Sequence, residues 1–165
     1  MISILANLKA SLVQFQLALR VAIAAAVSLF IAQLLHLDLP IFVLISAVIV
    51  TDLSPTQSRQ LGLRRLLTTA IGAVLGAIIC SYLPANPWIV GLSVGITILA
   101  CGLAGTREDA KIAGFVCGVI VLTHMPDPWM SAWRRFFETA VGIGAAWAVS
   151  YVPKLIRIED PADSA

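Results

Sequence analysis

Prolines divide this chain. Pro40, Pro55, Pro84, Pro87, Pro126, Pro128 and Pro153 all stand at or near the ends of six apolar stretches. Proline breaks a helix interior but is tolerated in a first turn or a connection. The stretches between prolines therefore read as separate helices, with approximate limits Phe15–Leu37, Leu39–Leu53, Leu63–Leu83, Trp88–Ala104, Ala110–Met125 and Arg134–Val152. Of 165 residues, 59% are hydrophobic and 12% charged. A soluble domain averages about 45–50% apolar and about 25% charged, so this chain has too few charges to cover a water-facing surface. The predicted fold class is an all-α polytopic membrane protein with six transmembrane helices. The domain spans residues 1–153, and residues 154–165 form a short polar cytoplasmic tail.

A spanning helix needs about 20 residues, and the second and fifth stretches, at about 15 and 16, fall short. Short segments at corresponding places in two halves of a chain point to a transport site at a repeat interface. Lys9 and Arg20 precede the apolar run Val21–Leu35 as in a signal peptide, but no small-x-small cleavage pattern follows. The run reads as an uncleaved first span. Lys9, Arg20, Arg59, Arg64, Arg65, Arg107, Lys111, Lys154 and Arg157 fall on one side of a six-span layout, against Arg134 and Arg135 on the other. That bias predicts cytoplasmic termini.

The chain says one thing twice. "LRRLLTTAIG" (Leu63–Gly72) returns as "WRRFFETAVG" (Trp133–Gly142), sharing RR-x-x-x-T-A-x-G. "VIVTD" (Val48–Asp52) resembles "IVLTH" (Ile120–His124) after a two-residue gap. Repeat 1 covers about 15–83 and repeat 2 about 88–153, with three helices each. Three is odd, so the second copy enters the membrane inverted. Arg64 and Arg65 are then expected at the cytoplasmic face and Arg134 and Arg135 at the outer face. The outer pair reads either as an interfacial anchor beside Trp129 and Trp133 or as an anion-attracting mouth. Small residues spaced for close helix packing occur at Gly72/Gly76, Gly91/Gly95 and Gly114/Gly118, and again at Gly142.

"SRQLGLRRLLTTAIGAVLG" (Ser58–Gly76) resembles a signature of the fusaric acid resistance and aromatic acid exporter families. "DLSPTQSR" (Asp52–Arg59) and "WRRFFETAVGIGAAWAVSYVP" (Trp133–Pro153) are similar to the second connection and sixth span of those families. Arg65, Thr69, Gly72 and Gly76 match the family pattern, whereas Thr68 stands where glycine is usual. The resemblance, from about Leu17 to Pro153, implies a six-helix domain of an inner-membrane exporter of aromatic or other organic carboxylates. Family members often carry a soluble domain after the sixth span. The expected assembly is a homo-oligomer or a complex with a partner exporter subunit.

An aromatic carboxylate asks for cationic donors and apolar surface. Arg64, Arg65, Arg134 and Arg135 are the candidate donors, with Phe136 and Phe137 the candidate ring contacts. Proton coupling needs a titratable group near the membrane, and Asp52, His124 and Glu138 are the candidates. Cys80, Cys101 and Cys117 lack metal-ligand spacing, so no metal is expected. No Walker loop, HExxH or GxSxG is present, and no basic patch interleaves with aromatics. No enzyme activity, cofactor or nucleic-acid partner is predicted. The leading function is secondary export of organic anions from the inner membrane. The alternatives are a passive anion channel and a non-transporting subunit.

Overall fold

The structure, a computed structural model, describes residues 2–37, 39–106, 109–123 and 126–151, and side chains from residue 11 onward. His124 and the predicted tail lie outside the described residues, as do Arg107, Lys154 and Arg157. The described residues form six helices and no strand: α1 (Ile2–Leu34), α2 (Pro40–Val50), α3 (Pro55–Tyr82), α4 (Pro87–Leu103), α5 (Ala110–Thr123) and α6 (Pro128–Ser150).

Local chemistry sets the boundaries. Proline begins α2, α3, α4 and α6, where its missing N–H costs nothing. Asn86 accepts from the Trp88 N–H at 3.1 Å, and Asp127 accepts from the Met130 N–H at 3.1 Å; both side chains satisfy otherwise orphaned helix-start donors. α1 and α4 end alike. His36 (φ 49°) and Gly105 (φ +77°) take the left-handed conformation. The next residue then bonds back five positions, Leu37 N to Ala32 O and Thr106 N to Cys101 O, each at 3.0 Å. Three helices start earlier than their apolar runs suggest, at Ile2, Pro55 and Pro128 rather than Phe15, Leu63 and Arg134. Two helices are long and apolar enough to cross a membrane, at Ser11–Leu34 and Pro55–Tyr82.

Small residues fill the inside and large ones face out. Ala24, Ala47, Ala73, Ala77, Ala113 and Ala146 are buried, while Phe15, Phe30, Trp88, Leu92, Leu99 and Leu103 are exposed. Water would penalise such a surface. In lipid it costs nothing, and small residues let helix backbones approach closely.

α3 and α6 cross antiparallel at the centre. Gly62 abuts Ile143 and Trp147, Trp147 Nε1 donates to Ser58 O at 3.2 Å, and Ser150 Oγ donates to Ser58 Oγ at 2.9 Å. At the other end of the crossing, Ala132 joins Ala73 and Ala77 in one cluster. Midway between these contacts, on both helices, stand Thr69 and Thr139.

Two further contacts recur with the same spacing. A Cβ on Gly72 would collide with the Ala113 carbonyl of α5, and a Cβ on Gly142 with the Val43 carbonyl of α2. Gly142 follows Gly72 by 70 positions, as Ala113 follows Val43 (142 − 72 = 113 − 43). Carried on to Asp52, the same spacing falls on Leu122, two residues before His124. Gly76, Gly114 and Gly118 also sit in helix contacts, but a Cβ on Gly91 or Gly95 would meet nothing within 4 Å. Within one chain those two glycines pack against no other helix.

Candidate anion site

Each arginine pair divides in the same way. Arg64 and Arg134 are exposed, whereas Arg65 and Arg135 are 2% exposed. Consecutive helical residues lie about 100° apart, so one of each pair turns into the packing and the other away from it. On each of these antiparallel helices the buried arginine stands about one turn before the mid-crossing threonine, so the two pairs lie on opposite sides of that level.

The α6 end holds a buried polar cluster. Arg135 Nη1 donates to Glu138 Oε2 at 2.6 Å, with both side chains buried. Glu138 Oε1 accepts from the backbone N–H of Leu39 at 3.3 Å, at the start of α2. The guanidinium lies 4.5 Å from the Phe42 ring centroid, an arrangement in which the ring face attracts the cation. Phe115 backs Phe42, with centroids 6.0 Å apart. Above this cluster opens a cavity of about 310 Å³ walled by His36, Leu37, Trp133, Arg134, Phe137 and Glu138. It combines a guanidinium, two aromatic faces and the edge of a buried carboxylate. Phe136 stacks on Trp133 at 5.9 Å and does not line the cavity.

The α3 end is built differently. Arg64 lines a groove of about 490 Å³ with Ser54, Thr56, Gln57, Gln60 and Leu61. Arg65 is buried, and its Nε has no hydrogen-bond partner. The Asp109 carboxylate, just before α5, acts on it through space. At the 70-residue spacing Thr68 corresponds to Glu138, and its hydroxyl turns back on its own helix, donating to Arg64 O at 3.0 Å and Arg65 O at 3.1 Å.

The proton-coupling candidates do not converge. Glu138 sits by the start of α2. Asp52 lies just beyond the other end of α2, half-buried, where its Oδ1 accepts from Ser54 N at 3.2 Å and its own N–H donates to Ser58 Oγ at 2.9 Å. His124 lies outside the described residues. Sequence reasoning missed His36, Phe42 and the Leu39 N–H, which carry no motif. It also passed over Thr69 and Thr139 as site residues, though both belong to the duplicated motif. Their hydroxyls are buried without a partner. Thr97 and Ser150, by contrast, bond to the carbonyl four residues back.

A helical bundle with large residues outside, and with a cationic cavity or groove at each end, has the character of a membrane transport protein. The chain belongs to the aromatic acid exporter family: the profile of aromatic acid exporter family member 1 matches residues 15–152. It is 27% identical over 148 residues to the uncharacterized transporter YdhK of Escherichia coli strain K12, and equally to YdhK of Escherichia coli O157:H7. Each match covers 82% of this chain and 22% of the relative. The chain thus spans about a fifth of the length of the curated relatives it matches. No solved structure matches it.

Proposed function

We propose that this chain is a six-span inner-membrane domain, made of two three-helix halves inserted in opposite senses, that exports aromatic or other organic carboxylates. The observation that carries this reading is the cavity of Trp133, Arg134 and Phe137 above the buried Arg135–Glu138 pair. A carboxylate wants a charge-assisted donor and an aromatic ring wants apolar walls, and the cavity offers both side by side. The Arg64 groove at the opposite end gives a solute a cationic point of contact on the other face. Family membership supports transport and efflux. The paired glycine contacts, 70 residues apart, support the repeat. The arginine and lysine bias supports cytoplasmic termini, with Arg134 outward. No enzymatic step is assigned to any residue.

Arg134→Ala is expected to lower benzoate flux in proteoliposomes about tenfold, the scale of one lost charge-assisted hydrogen bond. Entry of uncharged benzyl alcohol should not change. Equal benzoate flux in the variant would reduce Arg134 to an anchor. Arg135 is unsuitable for this test, because removing it strands Glu138. Benzoate movement against its gradient, driven by an imposed proton gradient, separates an exporter from a channel. Flux through the purified chain alone, or as a homo-oligomer, separates an exporter from a subunit that needs a partner.

Topology has its own test. Cysteines placed at Met130 and Gln60 should react with an impermeant maleimide from outside and inside the cell respectively. Labelling of both from the same side would rule out the six-span inverted layout.

A further inference from the structure

The two halves differ at one place that bears on the ligand. Around Arg135 stand the Glu138 carboxylate at 2.6 Å and the Phe42 ring at 4.5 Å. In the 70-residue correspondence set by Gly72/Gly142 and Val43/Ala113, Thr68 replaces Glu138 and Ile112 replaces Phe42. Arg65 therefore has no carboxylate on its own helix, the Asp109 charge reaching it only from the start of α5, and its Nε is left unpartnered at 2% exposure. One turn further along α3, the Thr69 hydroxyl is also buried and unpartnered. Its counterpart Thr139 is in the same state. Among the described residues only four buried side-chain polar atoms lack a partner, and these are three of them; the fourth is Gln16 Nε2 on α1. Buried donors without acceptors are costly, and a threonine can normally satisfy itself on its own helix, as Thr68 does.

We infer that Arg65 is the receptor for the carboxylate of an aromatic acid, and that the Arg135–Glu138–Phe42 cluster is a built-in replica of the occupied site. One aromatic carboxylate supplies what Glu138 and Phe42 supply in the other half: two acceptor oxygens and a π-face. Its carboxylate accepts from Arg65 Nε, and its ring takes the place that corresponds to Phe42, where this half of the sequence has Ile112. Arg64 and Leu61, the neighbour of Arg65 and the residue one turn before it, wall the groove at that end. The Asp109 carboxylate, acting on Arg65 from the start of α5, opposes the ligand and keeps binding reversible. This inference rests on the reading of the chain as a carboxylate transporter and assigns its inner binding point.

The test is calorimetric titration of the detergent-solubilised full chain with benzoate and with cyclohexanecarboxylate, which has the charge but no π-face. Wild type should bind benzoate more tightly. Thr68→Glu places a carboxylate three residues after Arg65, as Glu138 follows Arg135, and should weaken benzoate binding about tenfold or more. Thr68→Val, which adds no charge, should leave it unchanged. Ile112→Phe supplies the ring from the protein and should erase the preference for benzoate over cyclohexanecarboxylate. Thr68→Glu binding benzoate as wild type does, or an undiminished preference in Ile112→Phe, overturns the inference, as does a wild type that binds no benzoate. Should Thr68→Glu fail to fold, the Ile112→Phe comparison still decides. Benzoate export by wild type with unchanged affinity in Thr68→Glu would remove the Arg65 site and leave the transporter standing. Lost affinity in Thr68→Glu without any export by wild type would do the reverse.

Discussion

Glu138→Ala is expected to destabilise the protein by about 3–5 kcal/mol, the usual cost of removing one partner from a buried ion pair. The pair itself contributes little, because desolvating both charges offsets most of their attraction. Its removal by halves is what costs. Without Glu138 the buried Arg135 guanidinium loses the carboxylate 2.6 Å from its Nη1, and the Leu39 N–H at the start of α2 loses its acceptor. The stacking on Phe42 is too weak to compensate. Replacing both charges, as Arg135→Leu with Glu138→Leu, should recover much of the loss, since no charge is then stranded. Equilibrium unfolding in mixed micelles, titrated with sodium dodecyl sulfate, gives both numbers. A single variant as stable as wild type would mean that water reaches Arg135.

Glycine substitutions should change stability in opposite directions according to which helix carries them. Gly72→Ala and Gly142→Ala each drive a methyl group into a backbone carbonyl, of Ala113 and Val43 respectively. A carbonyl held in a helix cannot step aside as a side-chain tip can, so the helices must part. Overpacking of this kind costs about 1–3 kcal/mol, occasionally more. Gly142 is the tighter of the two, because Ser46 Cβ would also lie 2.8 Å away. Gly91→Ala and Gly95→Ala meet nothing, and should stabilise α4 by about 0.5–1 kcal/mol through helix propensity alone. The same unfolding titration reads all four. Equal effects at Gly91 and Gly142 would contradict the packing described.

The number of helices was legible because proline and apolar runs are local signals. The helix ends were less so. An apolar run reports where the chain avoids water, not where its backbone is helical, so the polar stretch Pro55–Gly62 hides the start of α3, and Arg134 and Arg135 set the amphipathic Pro128–Trp133 apart from the rest of α6. Gly91/Gly95 and Gly114/Gly118 look alike as spacings. Only the way α4 lies on α5 decides that one pair is covered and the other bare. Arg64 and Arg65 were equally indistinguishable, since their difference is one of rotational phase against neighbouring helices. Asp52 and His124 were matched on five letters of a small apolar alphabet, and the spacing of the glycine contacts places Leu122 opposite Asp52. The duplicated motif did contain Thr69 and Thr139. Nothing in the letters distinguishes a threonine that bonds to its own helix from one that does not.

The lengths of α2 and α5 carry a consequence for the barrier itself. With 11 and 14 residues, they reach only about 16 and 21 Å, against a hydrocarbon slab about 30 Å thick. In the six-span layout proposed above, their ends could not face acyl chains with open carbonyls, so water would follow the polypeptide inward and dimple the bilayer from both sides. The insulating layer left between such dimples would be thinner than the lipid around it and lie near the level of Thr69 and Thr139. A solute crossing this protein would therefore be dry for only a fraction of the membrane's thickness.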